Sequence, residues 1–476
     1  MMQSSPVAPS IPQSAPVSQP SPLPGPGPVT AKPGSRLAIV STYDELCGIA
    51  GYTRALVRQL DPEVAVEVFD LDQYYLRSPY RRVQKLGTLH IREIARQLAP
   101  FDSVNIQMEH GTLGRMPWQI FRRFRALARA PRSLSVTFHT VLSDEPMPWD
   151  TIGRQVRSFR VGGAINTIVE NRRAAILCFG IYNLLRRMQR WKHVSIIVHT
   201  KRDMRLLRDV YRLKNVHHHP LSFIAAEEAR ALRREATRAQ FPILRTLPDG
   251  TKLVGVFGFL SEYKGFETAI RALRYLPETY HLAIFGGIHP QTIKRRQKLD
   301  PYIDELLHDA RIGQTVLDSI KESGASATLD AEALKGALLE QHPQDLHARV
   351  HFMGVLADAD FAAAMAVCDT VVLPYLEVGQ SSSGPISVAL DMGCRIIASR
   401  TAAFLQFARY HPGQVEFFDI GNFAELATRL AADSPIDCAA RAPEYNTVTN
   451  AALYLQANGL AGRARAPMKL VRENAA

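Results

Sequence analysis

Hydrophobic positions in this chain fall into short unbroken runs separated by longer stretches with helical spacing. Leu37-Ala38-Ile39-Val40 is the first such run, and Cys47-Gly48-Ile49-Ala50-Gly51 follows it as a small-residue loop opening a helix to Leu60. The pattern continues with a strand over 64–71, an Ile/Leu-periodic helix over 89–98, a strand over 103–108 and a helix over 117–129. A strand over 134–139, a helix over 173–188 and a strand over 194–199 come next. Continuous apolar runs of this length mark strands buried on both faces. Strands alternating with helices of about 10–15 residues mark βαβ units and a parallel sheet. After His217-His218-His219-Pro220 the alternation pauses for an Ala/Arg-rich helix over 224–238. It resumes with strands at 252–257, 281–285, 350–352, 371–373 and 395–398. Residues 302–340 read as a long polar helical insertion, and 446–456 as a late helix beyond the second half.

The pattern predicts an α/β chain of two doubly wound halves facing across a cleft. The boundaries are a tail over 1–34, an N-terminal domain over 35–220, a C-terminal domain over 221–435, and a late helix with a loose end over 436–476. The tail holds ten prolines, six serines and no acid. It cannot bury enough apolar surface to offset chain entropy and reads as disordered, with polyproline character. At 476 residues, 46% hydrophobic and 21% charged, the rest is ordinary globular sequence. No run approaches the ~18 apolar residues of a spanning helix, and no secretory leader is visible. The five cysteines are scattered without a CxxC, which fits a reducing compartment and points to cytoplasmic localisation.

Charge alters this picture. Residues 35–220 hold 30 Lys/Arg against 16 Asp/Glu, whereas 221–476 hold 26 against 29. A basic half beside a slightly acidic one implies an anionic partner, unless it is merely a solvated basic face. An apolar run over 176–185 sits between arginine clusters, as in a helix lying in a membrane interface, or in a core helix whose arginines face solvent or pair with acids elsewhere. Trp118, Phe121 and Phe124 interleave with Arg122, Arg123 and Arg125, a pattern also found in single-strand nucleic-acid binders. Their 3–4 spacing is more simply a packed helix face, and no nucleic-acid partner is expected.

In open α/β sheets ligands bind beyond the carboxyl ends of the strands. Gly258, Lys264 and Gly265 follow one predicted strand. A glycine turn with a lysine before a helix suits an anion, or is a surface lysine without a ligand. Ser381-Ser382-Ser383-Gly384-Pro385 follows another strand and opens a helix. Its free amides suit an anion, or it is a plain capped start. Gly286 ends a third strand, where a flat base could lie. In the first half Glu109, His110 and His139 end strands on the same side; a single histidine there is a site residue or a structural one. Adjacent residues of the triple histidine 217–219 point in opposite directions, which argues against a shared metal.

Seven segments, in order, resemble the family-4 retaining glycosyltransferases of the GT-B fold. They are Cys47-Gly48-Ile49-Ala50, Ile106-Gln107-Met108-Glu109, Thr137-Phe138-His139-Thr140, Gly258 with Lys264-Gly265, Val350-His351-Phe352-Met353-Gly354, Cys368-Asp369-Thr370-Val371-Val372-Leu373-Pro374-Tyr375 and Ser382-Ser383-Gly384. The resemblance covers about 36–430, and the late helix is similar to the one that crosses back onto the N-terminal domain. It implies a nucleotide-sugar donor on the C-terminal domain and an acceptor on the N-terminal one. Lys264 matches the diphosphate-contacting lysine, while Phe259 stands where the family has an arginine. His139 matches the histidine near donor sugar and acceptor, and Gly48 to Gly51 match the first glycine loop. The family's paired glutamates fall on Gln380 and Val388; Gln380 can bond sugar hydroxyls, but Val388 cannot hold a ribose.

These correspondences make His139, Lys264 and Gln380 the candidate catalytic residues. Gly48, Gly51, Gly258, Lys264, Gly286, Gln380, Ser381, Ser382, Ser383 and Gly384 are the candidate donor contacts. Glu109, His110 and His139 lie on the acceptor side. No metal site and no cofactor beyond the nucleotide-sugar substrate are expected. The expected function is transfer of a sugar to a glycan acceptor, lipid-linked, at an anionic membrane surface on the inner face of the plasma membrane. The rival reading is a catalytically silent GT-B subunit that binds a nucleotide-sugar or a partner protein.

Overall fold

The computed structural model describes residues 30–45, 47–142, 149–158, 161–287, 346, 348–378, 382–433 and 444–462. Two parallel six-stranded sheets organise them. The first contains β1 (Arg36–Ser41), β2 (Ala65–Asp70), β3 (Ser103–Met108), β4 (Ser133–Phe138), β5 (His193–Val198) and β6 (Val216–His218), in the order β2-β1-β3-β4-β5-β6. The second contains β7 (Lys252–Phe257), β8 (Tyr280–Phe285), β9 (Val350–Gly354), β10 (Thr370–Leu373), β11 (Ile396–Ser399) and β12 (Glu416–Phe418), in the order β12-β11-β10-β7-β8-β9. The second is the Rossmann order and the first is flavodoxin-like. The strand order therefore reverses between β1 and β3 in one sheet, and between β7 and β10 in the other.

The unbroken apolar runs are buried on both faces: Leu37, Ala38, Ile39 and Val40 are fully enclosed, as are Val371, Val372 and Leu373. Three differences from the sequence pattern stand out. The segment at 216–218, where the alternation pauses, is β6, an edge strand too short to show a period. The helix expected over 173–188 starts at Val161, and the one expected over 89–98 starts at Arg81. Order begins before Arg36, because Ala31 bridges to Ala461 and Lys32 N–H donates to Leu460 O at 2.8 Å. The insertion expected over 302–340 and residues 1–29 of the tail lie outside the described residues.

The late helix, Thr447–Ala457, does cross back onto the first domain. Asn446 caps it, accepting from Thr449 N–H at 2.9 Å. It docks on polar strand positions. Ser103 and Ser135 Oγ donate to Asn458 Oδ1 at 2.8 and 2.9 Å, and Thr137 Oγ1 lies 2.9 Å from Tyr454 OH. Asn105 Nδ2 donates to Ser135 Oγ at 2.7 Å, and Asn450 Nδ2 donates to Gln59 Oε1 at 2.7 Å. Every second residue of β3 and much of β4 is thus polar yet buried, because the partner that satisfies it arrives from the far end of the chain.

Candidate functional site

The two strand-order reversals place the loops after β1, β3, β7 and β10 at the carboxyl edges of the sheets. In the second domain, glycines let three strand ends meet. A Cβ on Gly286 would lie 1.8 Å from Gly258 O, and one on Gly265, whose φ is +64°, would lie 2.1 Å from Pro374 O. Gly286 therefore serves close backbone packing, and Gly258, lacking a Cβ itself, leaves room for a side chain above it.

Lys264 fills that space. It is 6% exposed, and a Cβ on Gly258 would touch its Cε at 3.0 Å. Nζ donates to Tyr375 OH at 2.5 Å and sits 3.8 Å from the Tyr375 ring centroid and 4.9 Å from that of Tyr263. Burial alone pulls its ammonium down to about 7. The surface-lysine alternative is thereby corrected: Lys264 is buried beside two aromatic rings, whose faces attract a cation. The Tyr375 phenol is pushed well up by burial, partly offset by the Ser383 hydroxyl beside it.

Ser383 is 4% exposed and precedes the helix Gly384–Asp391, with Pro385 in its first turn as expected. Asp391 Oδ2 accepts from the Phe223 and Ile224 N–H groups at 2.7 and 3.0 Å, anchoring this helix to the segment that joins the domains. Val388 is packed into the core of the second domain. Glu377 Oε2 accepts from Ala402 N–H at 2.7 Å, a first-turn amide of the helix Ala402–Tyr410 that Thr401 caps. Gln380 and Ser381 lie outside the described residues.

In the first domain, Cys47 Sγ accepts from Ala50 N–H at 3.4 Å at the start of the helix Gly48–Leu60. Gly48 faces open space, whereas Gly51 faces the Asp358 carboxylate of the second domain, to which Arg54 Nε donates at 2.7 Å. His139 Nε2 lies 2.8 Å from Gln107 Oε1. Gln107 Nε2 donates to Asn105 Oδ1 at 2.7 Å, which turns its carbonyl toward His139. The histidine then carries its proton on Nε2 and presents Nδ1 as an acceptor. Glu109 Oε2 accepts from Thr140 Oγ1 at 2.8 Å on the same side; His110 opens the short turn His110–Leu113.

A residue the sequence reading passed over completes the site. His199 follows β5 as His139 follows β4, and both are followed by threonine. That repeated His-Thr at adjacent strand ends was the available signal. The two rings are 5.1 Å apart, and Tyr52 packs edge-on against each at 5.5 Å. His199 Nδ1 donates to His219 O at 3.0 Å, leaving Nε2 buried without a partner. Burial holds His139 well below its usual range and His199 at about 4, so both are neutral. His199 and Thr200 line one interdomain cavity together with Ser382, Ser383 and Gln406. The fold thus brings Ser383 of one domain and His199 of the other onto one cavity.

The triple histidine belongs to the domain joint. His219 Nδ1 reaches Pro220 O at 2.6 Å and Nε2 reaches Thr449 Oγ1 at 2.9 Å, while the His218 ring lies against Tyr410. Among the described residues no group of three or more His, Cys, Asp or Glu could hold a metal ion.

No protein-family model and no curated protein matches the chain. Solved structures do match. The UDP-forming α,α-trehalose-phosphate synthase of Burkholderia xenovorans, in complex with glucose-6-phosphate, is 13% identical, covers 89% of this chain and 100% of its own, and has a TM-score of 0.53. The corresponding synthase of Burkholderia vietnamiensis is 14% identical, with 90% and 96% covered and a TM-score of 0.50. The HepE protein of Anabaena, in complex with UDP and glucose, is 14% identical, with 88% and 98% covered and a TM-score of 0.49. At such identities the likeness is one of fold. Together with the two sheets and their strand orders, the two synthases establish that the chain has the two-domain GT-B fold.

Proposed function

We propose that the chain is a retaining glycosyltransferase that moves a sugar from a nucleotide-sugar to a glycan acceptor. The observation that carries this is the buried Lys264, paired with aromatic rings and with no carboxylate among the described residues acting on it, at the reversal point of the second sheet. A desolvated lysine beside the start of a helix favours an incoming diphosphate, whose charge grows as the sugar leaves. The trehalose-phosphate synthases of like fold are UDP-forming by name, which supports a nucleotide-sugar as the donor here. The acceptor hydroxyl attacks the anomeric carbon as the bond to the phosphate oxygen breaks, and the hydroxyl proton passes to that oxygen. Such a route needs positioning and leaving-group stabilisation, and the neutral His139 and His199 supply fixed dipoles at the sugar. Gln380, from the resemblance, contacts the sugar hydroxyls.

The acceptor reading is a lipid-linked glycan, in polysaccharide or glycoconjugate assembly at the inner face of the membrane. On the helix Val161–Met188 the face carrying Leu177, Ile181 and Leu185 is core, while Ile176 and Phe179 point outward, 69% and 66% exposed, with Arg172, Arg186 and Arg187 also exposed. The outward stripe, and not the whole run 176–185, would meet lipid. No helix among the described residues is long and apolar enough to cross a membrane.

The test is a screen of common nucleotide-sugars for binding and for release of nucleoside diphosphate. Turnover that falls in Gln380→Ala and Lys264→Met supports the reading; turnover indifferent to both sinks it. The burial of Val388 at the second glutamate position favours the silent-subunit reading, for which binding without turnover is the expected result.

A further inference from the structure

In the first domain, the helices Arg81–Gln97 and Pro117–Arg129 flank an open pocket of about 780 Å³, which none of the cleft residues described above lines. Arg81, Lys85, Arg92, Arg122 and Arg123 line it, and no Asp or Glu does. Among the described residues none of these five forms an ion pair; the acid nearest in sequence on the first helix, Glu93, is engaged by Arg96 at 2.5 Å.

Arg123 is the unusual member, 2% exposed. Its guanidinium donates to Leu113 O at 2.8 Å and to Leu76 O and Gln84 O at 3.0 Å, all neutral carbonyls, while Nε is buried without a partner. Two glycines make room for it: a Cβ on Gly87 would lie 3.0 Å, and one on Gly114 3.1 Å, from its nitrogens. Burial is what acts on its guanidinium, lowering its pKa from the usual value while it stays charged. A cation enclosed without a counter-charge, with four more at the mouth, is strongly unfavourable unless an anion completes the set. At the rim Trp118 and Leu89 are 56% and 55% exposed, an apolar edge beside a multiply charged pocket.

We propose that this pocket binds the phosphate head of a membrane lipid, a phosphate monoester or diphosphate, with Trp118 and Leu89 against the first part of its apolar chain. Arginine guanidinium and lysine ammonium suit a doubly charged phosphate, and five cations exceed what a single carboxylate needs. The site rests on the helix layer alone, so it stands or falls independently of the transferase reading.

The test compares phosphatidylcholine vesicles doped to equal surface charge with phosphatidic acid or with oleate. The variants are Lys85→Gln/Arg122→Gln in the pocket and Arg186→Gln/Arg187→Gln outside it. All four positions are exposed, so melting temperatures should stay at the wild-type value. Wild type should prefer phosphatidic acid over oleate by about tenfold or more, as charge-assisted hydrogen bonds imply. The pocket variant should lose that preference. The outer variant should keep it while binding both vesicles more weakly. Equal binding of wild type to the two vesicles, or a preference that survives in the pocket variant, overturns the site. Calorimetric titration with glycerol phosphate separates the sources: pocket-dependent binding as tight as to vesicles would overturn the lipid as occupant in favour of a free phosphate ester.

Discussion

Lys264 shows how a single residue's environment sets its chemistry. With its ammonium pulled to about 7 by burial, it is part-neutral at neutral pH in the free protein. A bound diphosphate favours the charged form and raises that value, so binding takes up a proton. Affinity for UDP, used as the probe, should therefore be greatest below pH 7 and fall as pH rises through 7 to 9. Lys264→Met, which keeps the apolar packing, should bind weakly and without that slope; calorimetry across pH reads both. His139 offers a second test. Gln107→Glu places a carboxylate where an amide oxygen now accepts from Nε2, which stabilises the imidazolium. The His139 titration followed by NMR should move upward and turnover should fall, whereas an unmoved titration would mean that Gln107 does not hold this ring. Glu377→Ala should instead lower stability by about 1 kcal/mol through the Ala402 N–H it leaves, with turnover unchanged. His139 was legible as a strand-end histidine, and the repeated His-Thr made His199 legible too. The burial of Lys264 was not, because one of the two rings that enclose it, Tyr375, lies 111 residues away.

Among the elements, the helix Thr447–Ala457 explains most about how the first domain is built. Polar residues alternate with apolar ones along Ser103–Met108 and Ser133–Phe138, a pattern that in isolation marks a sheet with one wet face. In the fold that face is dry, and Asn458 and Tyr454 provide hydrogen bonds to it. Asn458→Ala leaves Oδ1's two donors, Ser103 and Ser135, short of an acceptor and should lower unfolding free energy by about 1–3 kcal/mol. Urea denaturation measures this, and a change within about 0.5 kcal/mol would mean that water replaces the amide. The strands of the second sheet were legible because β7, β8 and β10 are unbroken apolar runs. Val216–His218 and Glu416–Phe418 were not, since three residues show no period.

For the whole molecule, the charge asymmetry between the halves is the feature with a measurable consequence. An arginine near an anionic surface contributes about 1 kcal/mol, so Arg186, Arg187 and Arg190 to Gln together should weaken binding to phosphatidylglycerol vesicles by roughly a hundredfold. Binding should also weaken with added salt. Co-sedimentation reads it, and a wild-type chain that ignores such vesicles at low salt would point to a soluble acceptor. The sequence by itself determined the two doubly wound halves, the longer strands and the loops that end them. Those follow from local patterns of apolar runs, glycines and helix starts that act within a few residues. Only the tertiary structure decided that Lys264 is enclosed, that His199 joins His139, that Glu377 bonds the first amide of a distant helix and that Arg123 is buried without a counter-charge among the described residues. Each of those depends on which distant segments pack together, and burial, which no single segment encodes, is what sets their charge.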